Sequence, residues 1–388
     1  MRLAALFYLA HILCAAWIGT AQGFLALGVI AAAVAVARGE LSVPLHRVEL
    51  PLGLFLLAST LSALVAELSL TSLHEVGEWL NFLTFPLALA LYLRHPSFHA
   101  AALKTIASLG LFMATWGLIQ YFILGHRDLE HRIRGPAAHV MTYSGILLVI
   151  TLLMLTLAAH RKGGKLFLLS GVLTSAAILL TLTRGAWLGW LAGMMALVLL
   201  RKPRGLLFAA PILVLALTLS PLELFGRMVS TFDLEQPSNL DRVRMVEAGI
   251  RIIRDYPLFG VGPGEVEEVY PFYRAEDAPR FRIPHLHNNP VQIWAERGAL
   301  ALAAYVLLVG LFLAECLKVP RGDPGRPLAE GGIVAVIGIT VAGLFEFNFG
   351  DSEVLMSLLD VMAVVCAARL IGGSIPEGAS SPAAPAAN

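Results

Sequence analysis

The sequence predicts an all-α polytopic membrane protein with about twelve transmembrane helices and one large polar loop. Of the 388 residues, 57% are hydrophobic and only 14% are charged, whereas a soluble domain contains about 25% charged residues. The hydrophobic residues occur in long runs, and roughly 20 of them in succession can cross a bilayer as a helix. The longest polar stretch lies late in the chain, from about Phe225 to Gly298.

The apolar runs give the order of the predicted spans. They lie at about 3–20, 22–38, 49–66, 73–93, 98–124, 141–159, 165–182, 185–200, 205–222, 291–317, 328–347 and 353–371. The run at 73–93 contains His74, Glu75 and Glu78, and such groups at membrane depth usually face a bundle interior or a cavity. The chain therefore divides into nine transmembrane helices (1–223), a periplasmic loop (224–290), three further helices (291–371) and a disordered cytoplasmic tail rich in Ala, Ser, Pro and Gly (372–388).

The basic residues of the short loops predict the orientation in the membrane. They are concentrated in alternate loops, at Arg38 and Arg47, Arg94 and Lys104, Arg161 to Lys165, Arg201 to Arg204, and Lys318 to Arg326. Because Lys and Arg accumulate in cytoplasmic loops, we expect both termini in the cytoplasm and the polar loop at the periplasmic face of a bacterial inner membrane. The outer loop 126–136 departs from this pattern with three arginines, including Arg134. Two interpretations of that loop are open, an anion site or contact with lipid headgroups.

Several functional classes are disfavoured by composition and spacing. A net charge of +1 without a compact basic patch argues against nucleic acid as a partner. The three cysteines lie inside apolar runs and form no CxxC pair, so neither a disulfide framework nor a cysteine zinc site is indicated. The stretch Gly260–Gly264 follows a predicted helix instead of a strand. We therefore interpret it as a tightly packed turn and not as a nucleotide loop.

One amphipathic helix is predicted inside the polar loop, between Leu240 and Tyr256. Its apolar residues recur at intervals of three, four and three, which is typical of one helix face; they are Val243, Val246, Ile250 and Ile253. Pro257 ends this helix. The candidates to cap its start are Ser238, Asn239 and Asp241. We expect the helix to lie along the membrane surface, packed on the bundle.

Two arginines are placed where they favour an anion. Arg184 starts a helix after a very short outer connection, and a cation at the positive end of a helix dipole is unfavourable unless an anion binds there. Arg242 repeats this arrangement at the start of the surface helix, with Arg244 as the second choice. Because guanidinium groups match phosphate oxygens, these residues predict a diphosphate site. The alternatives are that Arg184 reaches lipid headgroups and that Arg244 lies on an exposed helix face.

A histidine at the end of the loop is a candidate general base. His287 directly precedes a helix that Asn289 can cap, with Pro290 in its first turn. The positive end of that helix keeps the imidazole neutral, so that it can accept a proton from a hydroxyl. His285 suggests a metal-binding pair with His287, but the sequence fixes no third ligand, and catalytic metal sites usually have three. No metal is therefore predicted.

These residues resemble motifs of the O-antigen ligase and O-antigen polymerase superfamily. His287-Asn288, nine further residues and then Gly298 resemble the ligase pattern, from which Ala301 departs. Thr183–Trp187 resembles the family's Ser/Thr-Arg-Gly-Ala element. Asp241–Val243 together with Tyr256–Gly264 resemble a family element in which an arginine, a helix and a glycine-rich turn follow one another. Arg134–Tyr143 resembles a family loop that lies earlier in the chain.

The resemblance implies a GT-C-type glycosyltransferase that uses no cofactor and no divalent metal. It implies an undecaprenyl-diphosphate-linked glycan as donor, and as acceptor a lipid A-core hydroxyl for a ligase or a growing glycan for a polymerase. We expect an inverting transfer by a monomer among membrane lipids. Arg184 and Arg242, assisted by Arg244, are expected to bind the diphosphate, and His287 to deprotonate the acceptor. The secondary candidates are Asn288, Arg134 and His285.

Two alternatives stay open at this point. A polymerase would use the same donor, and only the acceptor that becomes modified distinguishes it from a ligase. A transporter or flippase for the polyprenyl-linked sugar is less favoured. Many transporters have paired halves and helices broken at the midplane, whereas the polar residues of this sequence cluster at one predicted face.

Overall fold

The computed structural model describes residues 1–66, 72, 78–201, 226 and 236–370. In these ranges the backbone forms helices and loops and no strand, in agreement with the predicted all-α class. The α-helices are α1 (Arg2–Leu13), α2 (Ile18–Ala37), α3 (Glu49–Val65), α4 (Thr84–Arg94), α5 (Pro96–Phe122), α6 (Val140–Ala159), α7 (Gly164–Leu180), α8 (Arg184–Arg201), α9 (Pro237–Asp255), α10 (Val266–Tyr273), α11 (Asn289–Leu317), α12 (Arg326–Ala342) and α13 (Ser352–Leu370). The predicted span at 205–222 and the predicted tail at 372–388 lie outside the described residues.

Among the described residues, four helical segments are long and apolar enough to cross a membrane, judged by length and composition. They are Ile18–Ala37, Ser97–Phe122, Val140–Ala159 and Asn289–Leu317. This finding is compatible with a polytopic membrane protein. The count of twelve spans and the GT-C architecture stay predictions.

Two of the predicted spans are not single long helices. In the run 3–20, α1 ends at Leu13 and α2 begins at Ile18. With 12 residues, α1 is about 18 Å long, which is less than the roughly 30 Å of hydrocarbon. In the described part of 73–93, a 3₁₀ helix at Glu78–Leu83 precedes α4, which has 11 residues. Hydropathy counts apolar residues and does not detect a turn between them.

The centre of the bundle is α6. Its residues from Thr142 to Leu157 are buried almost all round, and α6 packs on α7 and α12. Helix α12 also packs on α8, while α11 packs on α3 and α13 packs on α4. The predicted short connection between α7 and α8 is present, but the two helices contact each other little beyond the turn. Helices α7 and α8 pack mainly on different neighbours, so they lie close to each other only at the connecting turn.

Basic loops meet at one end of the bundle. Glu315, near the end of α11, lies 2.7 Å from Lys318 and 3.9 Å from Arg47, and it also pairs with Arg369. Arg47 and Lys318 come from two loops that are predicted to be cytoplasmic, and Arg369 lies near the end of the last predicted span. Arg326 begins α12 at the same end, so α12 carries the chain to the opposite end, where the polar segment packs.

The described part of the polar segment has a small hydrophobic core of its own. The core joins α9 and α10 to the start of α11, and it contains Met245, Ala248, Ile252, Val266, Tyr270, Ile283, Leu286 and Ala295. Because Ala295 belongs to α11, the polar segment is anchored to a bundle helix. Its side chains are therefore held in place by packing against that helix.

The predicted surface helix is present as α9 but starts earlier. It begins at Pro237 with Gln236 as the N-cap, and Gln236 makes no side-chain capping bond. The three predicted caps consequently lie inside the helix. Pro257 follows its end, as predicted.

The buried face of α9 also differs from the predicted stripe. Its buried residues are Asp241, Met245, Ala248, Gly249 and Ile252, whereas Val243 and Ile250 are 39% and 42% exposed. Both sets have helical spacing, so periodicity alone cannot choose between them. The packing partner α11 determines which face of α9 is buried. It approaches so closely at Gly249 that a Cβ there would overlap with a side chain of α11.

The glycine turn after α9 packs on a kink in α11. Gly298 interrupts α11 with φ 78°, and a Cβ at this position would overlap with the carbonyl group of Leu258. The backbone N–H groups of Val261 and Gly262 each donate to a carbonyl oxygen of α11 at 2.9 Å. The interpretation of Gly260–Gly264 as a packing turn is thus confirmed.

Candidate functional site

Arg184 begins α8 where the chain turns sharply out of α7. The turn places Leu182 at φ 55°, a left-handed conformation that is uncommon for a bulky residue. Arg184 is 5% exposed, and its Nη2 donates to Ser238 Oγ at 3.0 Å and to the side-chain oxygen of Asn239. The predicted position of Arg184 at a helix start is confirmed. Its guanidinium also ties this start to the first turn of α9.

Arg242 lies one turn further along α9 and faces a cavity. Because α9 begins at Pro237, Arg242 occupies the second turn and not the helix start that was predicted. The cavity is lined by Arg242, by Glu346 and by residues at the starts of α6 and α8. Its volume of about 20 Å³ is room for about one water molecule. The cavity therefore marks where polar groups of three segments converge, and a larger ligand requires it to widen.

The electrostatics of this cavity favour an anion. Within the described part of the chain, no hydrogen bond or ion pair engages Arg242, and its Nε is buried without a partner. Burial lowers the pKa of Arg242 and the charge of Glu346 opposes this effect, but an arginine stays cationic at physiological pH. Two helix N-termini add positive potential here. Arg242 is partly buried, and a polar group withdrawn from water without a hydrogen-bond partner is costly, so a bound anion would stabilise it.

Arg244 is placed differently from Arg242. Its Nη1 lies 2.8 Å from Glu247 and its Nη2 lies 2.6 Å from Asp277. It does not line the cavity that Arg242 faces. Arg244 thus connects α9 to the segment after α10, with its side chain 26% exposed. Its part in binding a diphosphate stays a prediction.

His287 is bonded to a residue that the sequence did not single out. Its Nδ1 lies 2.8 Å from Glu346 Oε1. Burial raises the pKa of Glu346, but the hydrogen bond with His287 and the nearby charges outweigh burial and hold that pKa below its ordinary value. Glu346 is therefore a carboxylate, which can only accept, so the Nδ1 of His287 carries the proton. The lone pair on Nε2 is then available to accept a proton.

The backbone around His287 is held in an unusual conformation. His287 has φ 51°, and residues in such sparsely populated regions cluster at functional sites. The N-cap of α11 is Asn288 and not Asn289, since the Asn288 side chain accepts from the Val291 N–H at 3.0 Å. Asn288 also donates to the carbonyl oxygen of Leu344 at 2.9 Å. This secondary candidate therefore has a structural role next to His287.

Asn289 positions the loop that carries Glu346. Its side chain donates to Asn348 Oδ1 at 2.7 Å and accepts from the Phe349 N–H at 3.1 Å. Its own N–H donates to the carbonyl oxygen of Gly343 at 2.6 Å. The first residue of α11 thus binds the loop at residues before and after Glu346. These contacts place Glu346 beside His287.

The location of Glu346 corrects the predicted span 328–347. Helix α12 ends at Ala342, so Glu346 lies in the loop 343–351 and not inside a membrane helix. The signal that could have found it is its charge, because an acidic residue inside an apparent span is a functional-site hypothesis.

His285 lies beside the pair of His287 and Glu346. Its ring is 4.2 Å from the ring of His287 between centroids, and its Nδ1 is 3.7 Å from Glu346 Oε1. Burial, and then the neighbouring His287, lower the pKa of His285 to about 4. His285 is therefore neutral at physiological pH. The three side chains together have the ligand atoms that could hold a metal ion, so the third ligand that the sequence did not show is supplied by Glu346.

Arg134 is engaged within its own loop. Its Nη1 donates to the carbonyl oxygen of Ala138 at 2.8 Å, and Gln120 accepts from its backbone N–H at 3.0 Å. Arg127 likewise donates to the carbonyl oxygens of Tyr121 and Phe122. Arg127 thus binds backbone at the end of α5 and Arg134 binds backbone just before α6, and neither is among the residues that line the cavity at Arg242.

A family comparison covers most of the residues of this site. Residues 169–306 match the family model described as O-antigen ligase. The matched range contains Arg184, Arg242, His287 and Gly298, but not Glu346. No curated protein matches the chain in a sequence search. The resemblance to the O-antigen ligase and polymerase superfamily is therefore confirmed, and it supports a ligase-type or polymerase-type activity in general.

Proposed function

We propose that this protein is an inverting, metal-independent glycosyltransferase. Its donor is an undecaprenyl-diphosphate-linked O-antigen glycan and its acceptor is a lipid A-core sugar hydroxyl. One observation carries the proposal: Arg242 faces a cavity that is also lined by Glu346, and Glu346 orients the imidazole of His287. A cation that has no hydrogen-bond partner among the described residues and a base with a free lone pair are thus adjacent. Transfer from a lipid diphosphate needs both, because its leaving group is an anion and its nucleophile is a hydroxyl.

The cations act on the leaving group. As the bond between the anomeric carbon and the diphosphate oxygen breaks, that oxygen takes the electron pair and negative charge develops on the diphosphate. Fixed positive charge is most effective where charge develops in the transition state. Arg242 binds the diphosphate. Arg184 contributes its charge to the same end of the site and, through Ser238 and Asn239, keeps α9 in place.

The base acts on the acceptor. Nε2 of His287 takes the proton of the sugar hydroxyl while the hydroxyl oxygen attacks the anomeric carbon from the face opposite the diphosphate, which inverts its configuration. General-base assistance of this kind contributes about 10²–10⁴-fold. The carboxylate of Glu346 stabilises the imidazolium that forms. In this proposal the protein acts as a monomer, with its site at the periplasmic face of the bacterial inner membrane and both termini in the cytoplasm.

The decisive experiment is transfer by the purified protein in the presence of a chelator. The lipid-linked donor and a lipid A-core acceptor are mixed with wild type and with His287→Ala, and the acceptor is examined for added glycan. Product with wild type and its loss in the variant support the proposal. Retained transfer by His287→Ala, or complete loss of wild-type transfer in EDTA, would overturn it.

The same assay separates the two alternatives. A polymerase lengthens the lipid-linked glycan and leaves lipid A-core unmodified. A transporter changes the side of the membrane on which the lipid-linked sugar is found, and substitutions of Arg184 or His287 would then alter that distribution without any transfer product.

A further inference from the structure

His285, His287 and Glu346 place three metal-ligating atoms around one point. One ligand atom from each residue lies within 4.8 Å of the other two. The Nδ1 atoms of His287 and His285 are 2.8 Å and 3.7 Å from Glu346 Oε1. Around a tetrahedral zinc ion with ligand bonds of about 2.0–2.1 Å, neighbouring ligand atoms are about 3.3 Å apart. The two observed separations lie on either side of that value, so small side-chain movements would complete the arrangement.

Two atoms of this cluster are buried without a hydrogen-bond partner in the described part of the chain. They are His285 Nδ1 and Glu346 Oε2. Buried polar atoms nearly always have a partner in folded proteins, and an exception calls for an explanation such as an ion. Nδ1 of His285 has no hydrogen-bond partner among the described residues, although the ring lies against that of His287. Its nitrogen is therefore available as a ligand.

We propose that His285, His287 and Glu346 bind a zinc ion, and that bound zinc inhibits the transfer reaction. Two imidazole nitrogens and one carboxylate oxygen are a ligand set that zinc takes in proteins, with the fourth position left to water. Magnesium prefers oxygen ligands in octahedral geometry. The site should therefore discriminate between the two ions.

Inhibition follows because zinc and Glu346 compete for the same nitrogen of His287. Without metal, Nδ1–H donates to Glu346 and the lone pair of Nε2 can accept a proton. When zinc binds Nδ1, the single ring proton moves to Nε2, and the imidazole stays neutral. Nε2 then has no lone pair with which to take the proton of the acceptor hydroxyl. The zinc form thus lacks the general base.

The neighbouring charges make zinc a reversible inhibitor instead of a resident cofactor. Arg242 and Arg280 act electrostatically on His285, and both cations oppose the binding of a divalent ion. A chelator is therefore expected to remove the metal and leave the protein active. The inhibition rests on the proposed function, whereas the binding of zinc does not.

The test measures metal binding and transfer separately on the full chain, purified with an affinity tag that contains no histidine. Protein stripped with chelator is dialysed against zinc chloride, and bound zinc per chain is determined by elemental analysis. We expect one bound zinc ion in wild type and about 10-fold or more weaker binding in His285→Ala. His131→Ala, which removes an exposed histidine 3.4 Å from Asp128, is the matched control and should bind zinc like wild type.

Transfer is then followed in rising zinc, with each variant compared with its own zinc-free rate. We expect wild-type transfer to fall as zinc binds, magnesium to have no such effect, and His285→Ala to need a higher zinc concentration for the same inhibition. Wild-type zinc binding by His285→Ala would overturn the site. Acceleration of transfer by zinc would overturn the inhibition. If no acceptor is ever modified, the proposed function fails, and the binding measurement still decides the site on its own.

Discussion

Nδ1 of His287 lies 2.8 Å from Oε1 of Glu346, although the two residues are 59 positions apart in the chain. The hydrogen bond joins the end of the polar segment to the loop between α12 and α13. It decides which ring nitrogen carries the proton, and hence which nitrogen can act as a base. The contact is made possible by Asn289, which binds the same loop at Gly343 and at Asn348.

Replacement of Glu346 by Gln should lower the rate of transfer more than donor binding. We expect kcat to fall by about 10²-fold or more, because the imidazole loses the carboxylate that selects its tautomer and stabilises its charged form. The KM for the donor should change much less, since Arg242 is retained. Steady-state kinetics with varied donor check this. Glu268→Gln, which removes an exposed carboxylate 3.1 Å from Arg282, is the matched control, and an equal loss in both variants would contradict the assignment.

Arg242 and Arg244 should differ strongly when each is replaced by Gln. Arg242 faces the cavity without a partner among the described residues, so its loss removes a cation from the leaving group and should cost about 10²–10³-fold in kcat. Arg244 is paired with Glu247 and Asp277, and ion pairs near the surface contribute little. Arg244→Gln should therefore stay within a few-fold of wild type. Comparable losses in the two variants would mean that the diphosphate site extends over both residues.

Arg184→Lys tests whether charge alone is sufficient at the start of α8. Lysine keeps the charge but cannot reproduce the planar geometry with which Arg184 binds Ser238 and Asn239. Hydrogen bonds to charged groups contribute about 1.5–3 kcal/mol, so transfer should fall by about 10–100-fold. Arg201→Lys, at the other end of the same helix, is the control and should retain wild-type transfer. Full activity of Arg184→Lys would show that the connection between α8 and α9 is unimportant.

Gly298→Ala should destabilise the junction between the glycine turn and α11. Gly298 has φ 78° and no room for a Cβ beside Leu258, and a residue forced into such a conformation costs about 1–3 kcal/mol. The apparent Tm of the protein in detergent should fall. Gly310→Ala is the control in the same helix, because a Cβ there meets nothing within 4 Å. It should raise stability slightly, by about 0.5–1 kcal/mol, and a similar decrease in Tm for both variants would exclude this explanation.

The part of the site that could be predicted is the part that depends on neighbours in the chain. Arg184 stands at a helix start because a short polar turn separates two apolar runs, and His287 stands before a helix because Asn288 and Pro290 favour a helix start there. Residues 169–306, the range matched by the O-antigen ligase family model, contain both residues. The turn at Gly260–Gly264 could be predicted for a similar reason. Because no strand precedes these glycines, the sequence indicates a packing turn and not a nucleotide loop.

The sequence by itself determined the all-α class, the apolar runs from which membrane spans are predicted, the positions of Arg184 and His287 relative to their helices, and the polar segment between them. These features follow from local composition, helix periodicity and backbone preferences. Only the tertiary structure decided which face of α9 is buried. It also decided that Arg242 lines a cavity whereas Arg244 forms ion pairs, and that Glu346 forms a hydrogen bond with His287. Those outcomes depend on close packing between segments far apart in the chain, where several helical faces have acceptable spacing and the approach of α11 or of the loop 343–351 selects one of them.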